Sequence, residues 1–160
     1  MDGWIWAGLA MGIGGTVAMD LWALALNRLA GQGMPNWANV GRWVVEVMRG
    51  RVFHDDIGAV SPVQGELALG WAFHYAVGAI YGALFLAIVG PGWLEGAAFV
   101  PLWIFSLLTI AAGWFLLQPG MGLGWAAART PQPWKARGMG LLAHTAFAVG
   151  MWVVALAVAV

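Results

Sequence analysis

The chain has 160 residues, of which 62% are hydrophobic and only 9% charged, with seven basic side chains balancing seven acidic ones. A soluble domain is about a quarter charged, so this composition excludes a fully water-facing surface and points to membrane spans. There is no cysteine, which excludes disulfides, thiolate metal sites, iron–sulfur clusters and thiol nucleophiles.

In chain order, the opening "MDGWIW" lacks the basic n-region of a cleavable signal peptide. The first apolar run, residues 4–26, is therefore expected to be kept as a helix. Runs at 67–89, 94–117 and 139–160 follow, each near the roughly 20 residues that cross about 30 Å of hydrocarbon. Between the first two runs, Trp37, Val40, Val44, Val47 and Met48 recur on one helical face, and Asn39, Arg42, Glu46 and Arg49 on the other. The spacing predicts an amphipathic helix over 36–49, started by Pro35 and Asn36 and ended by Gly50, lying in the membrane interface with its arginines toward lipid headgroups.

A polar loop with His54, Asp55, Asp56 and Glu66 leads into the second run. Its "HDDIG" could join a metal site, bind a headgroup phosphate with Arg51, or simply be solvated. Runs two and three are joined by "GPGW" at 90–93, a tight turn that makes them an antiparallel hairpin. Pro101 is expected to kink the third run. The second long connection, "QPGMGLGWAAARTPQPWKAR", is rich in Gly and Pro and predicts no long element. Its "GLGWAA" spells part of a dinucleotide fingerprint without the strand and βαβ unit that give it meaning. Ser61 and Ser106 lie in no nucleophile elbow, which argues against a serine hydrolase.

Charge placement sets the topology. Arg28, Arg42, Arg49 and Arg51 lie between runs one and two, and Arg129, Lys135 and Arg137 between runs three and four. Both connections fall on one side of a four-span chain. The positive-inside rule makes that side cytoplasmic and both termini periplasmic. Those seven cations are accounted for by the membrane, leaving no support for nucleic-acid binding. Tryptophans near the span ends, such as Trp4, Trp93, Trp125 and Trp134, suit interfacial belts. The expected fold class is all-α: one polytopic membrane domain over 1–160, an antiparallel four-transmembrane-helix bundle with an interfacial helix in the first cytoplasmic loop. His74 and His144 each sit early in an outward-running span, which allows a faint internal repeat.

Asp20, His74 and His144 are the ionisable residues inside the spans. Asp20 lies eight residues before Arg28, His74 eight after Glu66, and His144 seven after Arg137. At 1.5 Å per residue each is about 10–12 Å inside the cytoplasmic boundary. An ionised side chain at mid-bilayer costs about 2.5–3.5 kcal/mol on insertion scales, so such groups normally have partners. Gly70 and Gly78 flank His74, and Gly140 and Ala148 flank His144, letting helices or a flat ligand approach. Three readings stay open: packing glue, a small-ligand or proton site, or a metal or ring cofactor on His74 and His144 with Asp20.

Several stretches read together carry a resemblance: "MDLW" at 19–22, "GRW" at 41–43, "GRVFHD" at 50–55, "GELALGWAFHYAVG" at 65–78, "QPGMGLGWAAARTPQPW" at 118–134 and "LLAHTAF" at 141–147. The chain resembles a family of uncharacterised bacterial four-helix inner-membrane proteins, a domain of unknown function. The resemblance implies a small four-helix membrane protein of the bacterial inner membrane and no particular reaction, substrate or cofactor. It puts Asp20, His54, Glu66, His74, Gln118 and His144 inside its motifs.

The leading functional expectation is a polar intramembrane site near the cytoplasmic leaflet, built on Asp20, His74 and His144, that binds a small ligand, proton, metal or cofactor. Glu66, Gln118, His54 and Asp55 would form its mouth. One alternative is a non-catalytic accessory subunit whose partners, beyond the lipid bilayer, are a larger membrane complex or further copies of itself. Another is a small membrane enzyme acting on a lipid or quinone-like substrate, with a histidine as general base.

Overall fold

The structure, a computed structural model, describes residues 3–158. Those residues form helices and turns with no strand. The helices are α1 (Gly3–Ala30), α2 (Trp37–Met48), α3 (Glu66–Val89), α4 (Phe99–Gly120) and α5 (Pro133–Val158). All but α2 are long and apolar enough to cross a membrane, which makes this a multi-pass membrane protein. The end of the fourth expected span, residues 159 and 160, and the first two residues of the expected domain lie outside the described residues.

The boundaries shift for local reasons. Gly31 ends α1 in the left-handed region at φ +63°, a backbone state glycine enters without a Cβ penalty. The third span starts at Phe99 because Pro91–Glu95 is taken up by a 3₁₀ turn after Gly90. Pro101 sits in the first turn of α4, where its missing N–H would be unpaired anyway, so the expected kink does not arise there. The irregularity lies further on: Gly113–Leu117 is a π-turn, with the N–H of Gln118 reaching back to the Gly113 carbonyl. Pro119 follows and has no N–H to give to Phe115, which is the condition that favours a wider turn.

The chain forms two compact units. The first takes residues through Met34, Tyr75–Thr109 and from Leu142 onward, so all four spans contribute to it. Its core is Met11 of α1, Phe85 and Leu86 of α3, Leu102 of α4, and Phe147, Met151 and Ala155 of α5. Glycine contacts fix the directions. Gly8 meets Gly82 and Ala83 while Gly12 meets Gly78 and Ala79, so α1 and α3 are antiparallel. Gly14 meets Val154 and Gly15 meets Phe147, so α1 and α5 are antiparallel too. Trp152 Nε1 donates to the Ala97 carbonyl at 2.8 Å and Ser106 Oγ to the His144 carbonyl at 2.6 Å, which sets α4 against α5 in the same way. This unit is an antiparallel four-helix bundle whose backbones approach closely at small residues. The second unit, Pro35–His74 with Ile110–Leu141, holds α2 and the two long connections.

Candidate functional site

In the second unit α2 starts at Asn36, whose side chain accepts from the Asn39 N–H at 3.1 Å, a cap that satisfies one orphan donor. The helix then crosses the beginning of α3 at two glycines. A Cβ on Gly41 would collide with the Glu66 carbonyl, and one on Gly70 with the Trp37 carbonyl. This approach brings α2's polar residues against the protein rather than toward lipid headgroups. Arg42 and Glu46 are buried, while Met48 on the expected apolar face is 80% exposed. The expected orientation of this helix is thus corrected for Arg42 and Glu46; Arg49 remains exposed.

Arg42 turns inward because it finds partners for its whole donor fork. Nε and Nη2 reach the two oxygens of Glu66 at 2.8 and 2.7 Å, and Nη1 donates to the carbonyls of Ile57, Gly58 and Val60 at 3.2, 3.3 and 2.8 Å. The hydrogen bond to Glu66 raises the Arg42 guanidinium above its ordinary value against the opposing effect of burial. Glu66, expected at the mouth of an intramembrane site, is thereby committed to Arg42 and to the Val63 N–H at 2.9 Å.

Glu46 is the second buried charge. Arg49 Nη1 donates to it at 2.9 Å, Arg51 Nη2 lies at 2.7 Å, and His54 Nε2 at 3.6 Å. Burial raises the Glu46 carboxyl, but the hydrogen bonds and charge of Arg49 and Arg51 outweigh it and leave the group below its ordinary value. A carboxyl depressed in the folded state contributes stability above its unfolded pKa, and that contribution is lost as pH falls through the folded value. Thermal melts are therefore expected to weaken as pH drops below the ordinary 4.5. Glu46→Gln is expected to lower the melting temperature at pH 7 and to flatten that acid limb.

His54 is held by the other connection. Its backbone N–H and its Nδ1 both lie 3.0 Å from the Gly120 carbonyl. A carbonyl only accepts, so the proton sits on Nδ1, and Nε2 is left buried without a hydrogen-bond partner. Ile57 N–H donates to the Met121 carbonyl at 3.2 Å and Trp43 Nε1 to the Val52 carbonyl at 2.8 Å, completing the join. A Cβ on Gly120 would strike the Trp43 indole. Beyond it, Ala126 and Ala127 hold left-handed φ of 47° and 60°. Arg137 Nε caps the Ala126 carbonyl at 2.8 Å and Thr130 Oγ1 the Ala127 carbonyl at 2.7 Å, so bonds on both residues hold a costly backbone in place.

These two connections form an open cavity of about 520 Å³ lined by Phe53, His54, Asp55, Pro119, Gly124, Trp125, Ala128 and Arg129. The volume is that of small-ligand sites, about 300–1,000 Å³. The structure places His54 and Asp55 in the lining of this cavity, and Asp20, His74 and His144 are not among its lining residues. Gln118, one residue from the lining, has its Oε1 buried with no hydrogen-bond partner. Arg129 and Trp125 were not among the expected site residues, since nothing in a Gly-rich connection marks which of its side chains face a cavity.

The intramembrane residues divide between the units. In the bundle, Asp20 accepts from Tyr75 Oη at 2.9 Å. His144 Nδ1 lies 2.9 Å from the Ser106 carbonyl and 3.1 Å from Thr109 Oγ1. Thr109 gives its own hydroxyl proton to Ser106 at 2.6 Å, so His144 Nδ1 is the donor to both. His74 belongs to the second unit, where it stacks on Trp37 with ring centroids 3.9 Å apart. Among the described residues, no group of three or more His, Cys, Asp or Glu side chains is arranged to hold a metal ion.

The chain matches no curated protein and no solved structure. A family model described as "Protein of unknown function (DUF2938)" matches residues 9–158, a range that takes in all of the helices but the start of α1, and both connections lining the cavity. The chain belongs to this family.

Proposed function

We propose that the protein is a multi-pass protein of the bacterial inner membrane, with periplasmic termini, whose cytoplasmic connections bind a small polar ligand in the His54–Arg129 cavity. The orientation rests on the distribution of cations: all seven lie at or between the ends of α1 and α3, or of α4 and α5. The single observation that carries the ligand reading is His54. Its side chain is 9% exposed and lines the cavity, and its Nε2 makes no hydrogen bond, the Glu46 carboxylate standing off at 3.6 Å. A buried polar atom left unsatisfied is costly, and a ligand polar group in the cavity would satisfy it. Asp20 and His144, by contrast, have hydrogen bonds inside the bundle, which supports a packing role for them.

Native mass spectrometry on protein extracted mildly from its own membrane tests this reading. The wild-type chain is expected to retain a small-molecule adduct that the His54→Ala, Arg129→Ala double variant loses. A bare wild-type chain, or an adduct kept by the variant, overturns it.

A further inference from the structure

Resting on that ligand-site reading, we infer that the cavity takes the phosphate–ammonium head of a zwitterionic membrane lipid. Three features of the lining converge on this class. First, it carries one fixed cation, Arg129, and one fixed anion, Asp55. A simple anion would meet Arg129 but leave a carboxylate facing it, and a simple cation the reverse. A head that bears both signs a few bonds apart answers both walls. The guanidinium suits phosphate through its planar donor fork, and the carboxylate accepts from an ammonium.

Second, His54 lines the same cavity, and its Nε2 makes no hydrogen bond, the Glu46 carboxylate lying 3.6 Å away. With the ring proton on Nδ1, Nε2 is an acceptor and suits an N–H of the ammonium. Third, Phe53 and Trp125 line the cavity while remaining 66% and 65% exposed. Large aromatic surface left open beside a charged cavity suits an amphiphile: the rings can hold the ammonium by cation–π contact and cover the glycerol and first methylenes.

Depth agrees with the chemistry. Pro119 lines the cavity and is the penultimate residue of α4, whose apolar length runs from Phe99 to Gly120. The cavity is therefore level with the end of a span, where lipid headgroups lie. A water-borne phosphate compound shares the same charges, so the experiment must separate the two sources.

Isothermal titration of the purified full chain in a phosphorus-free detergent does so with four probes: dihexanoyl phosphatidylethanolamine, dihexanoyl phosphatidylglycerol, free O-phosphoethanolamine and inorganic phosphate. The ethanolamine lipid is expected to bind saturably and more tightly than the other three. Asp55→Asn is expected to weaken the ethanolamine lipid about tenfold, the loss of one charge-assisted hydrogen bond, and to leave the glycerol lipid unchanged. Arg129→Ala is expected to weaken both. Asp55 and Arg129 are exposed, and an unchanged melting transition checks that the variants fold. Equal binding of both lipids, with no effect of Asp55→Asn, overturns the zwitterion assignment. Free O-phosphoethanolamine binding as tightly as its lipid overturns the membrane source. No binding of any probe, with the native adduct intact, overturns this inference while leaving the ligand site standing; loss of the adduct itself removes both.

Discussion

Arg42→Met is expected to lower the folded-to-unfolded ratio at the wild-type midpoint by about tenfold or more, because breaking a buried ion pair from one side strands the other charge. This guanidinium donates five hydrogen bonds: two to the Glu66 carboxylate and one each to the carbonyls of Ile57, Gly58 and Val60. Methionine fills similar volume, so the loss isolates the polar contacts from packing. Arg42→Lys is expected to recover only a minor part, since a point charge cannot bridge a carboxylate and three carbonyls at once. Arg49→Ala and Arg51→Ala, whose side chains are 55% and 63% exposed, are the controls and should shift the transition less, because each leaves buried Glu46 its other arginine. Thermal melts followed by circular dichroism in detergent read all four. An Arg42→Met melt that matches those controls would show that this pair does not organise the loop.

Gly70→Ala is expected to cost about 1–3 kcal/mol or more, the range for forcing extra atoms into a packed site. The added methyl would overlap the Trp37 carbonyl and approach the Gly41 N–H at 3.1 Å. Both are backbone, so no rotamer change relieves the clash, and α2 must lift from α3. That displacement would also disturb the stack of Trp37 on His74. Gly113→Ala, which meets nothing within 4 Å, is the matched substitution expected to hold stability or raise it by up to about 1 kcal/mol. Chemical unfolding with both variants separates a local clash from the general effect of removing a glycine; equal midpoints for the two would refute the close crossing.

The spans and helix α2 were legible because each rests on local pattern: a run of about 20 apolar residues, or a face repeating every three to four. The direction α2 turns was not legible. A polar stripe of Arg42 and Glu46 reads the same whether water, lipid headgroups or protein answers it, and its partners lie elsewhere in the chain, at Glu66, His54 and the carbonyls of 57–60. His54 and Asp55 could be singled out as polar residues in a short loop. Their neighbours across the cavity, Trp125 and Arg129, depend on left-handed turns at Ala126 and Ala127 that the sequence gives no reason to expect at alanine. His144 illustrates the same limit inside the bundle: its partners are a carbonyl and a threonine hydroxyl on α4, and only the helix rotations, which sequence leaves undetermined, bring them together.

The π-turn at Gly113–Leu117 acts as a phase shifter. A turn that closes over five residues holds one more residue than its neighbours, and each residue advances an α-helix by about 100°. Gln118, Pro119 and Gly120 therefore stand about 100° round the axis from where an unbroken α-helix through α4 would set them. Gly120 needs that azimuth to offer its carbonyl to the backbone N–H and Nδ1 of His54 and its bare Cα to Trp43. A chain shortened by one residue in this turn would still be long enough to cross the membrane, yet its end would point elsewhere, and the wall of the cavity would be lost without the loss of a single side chain that lines it.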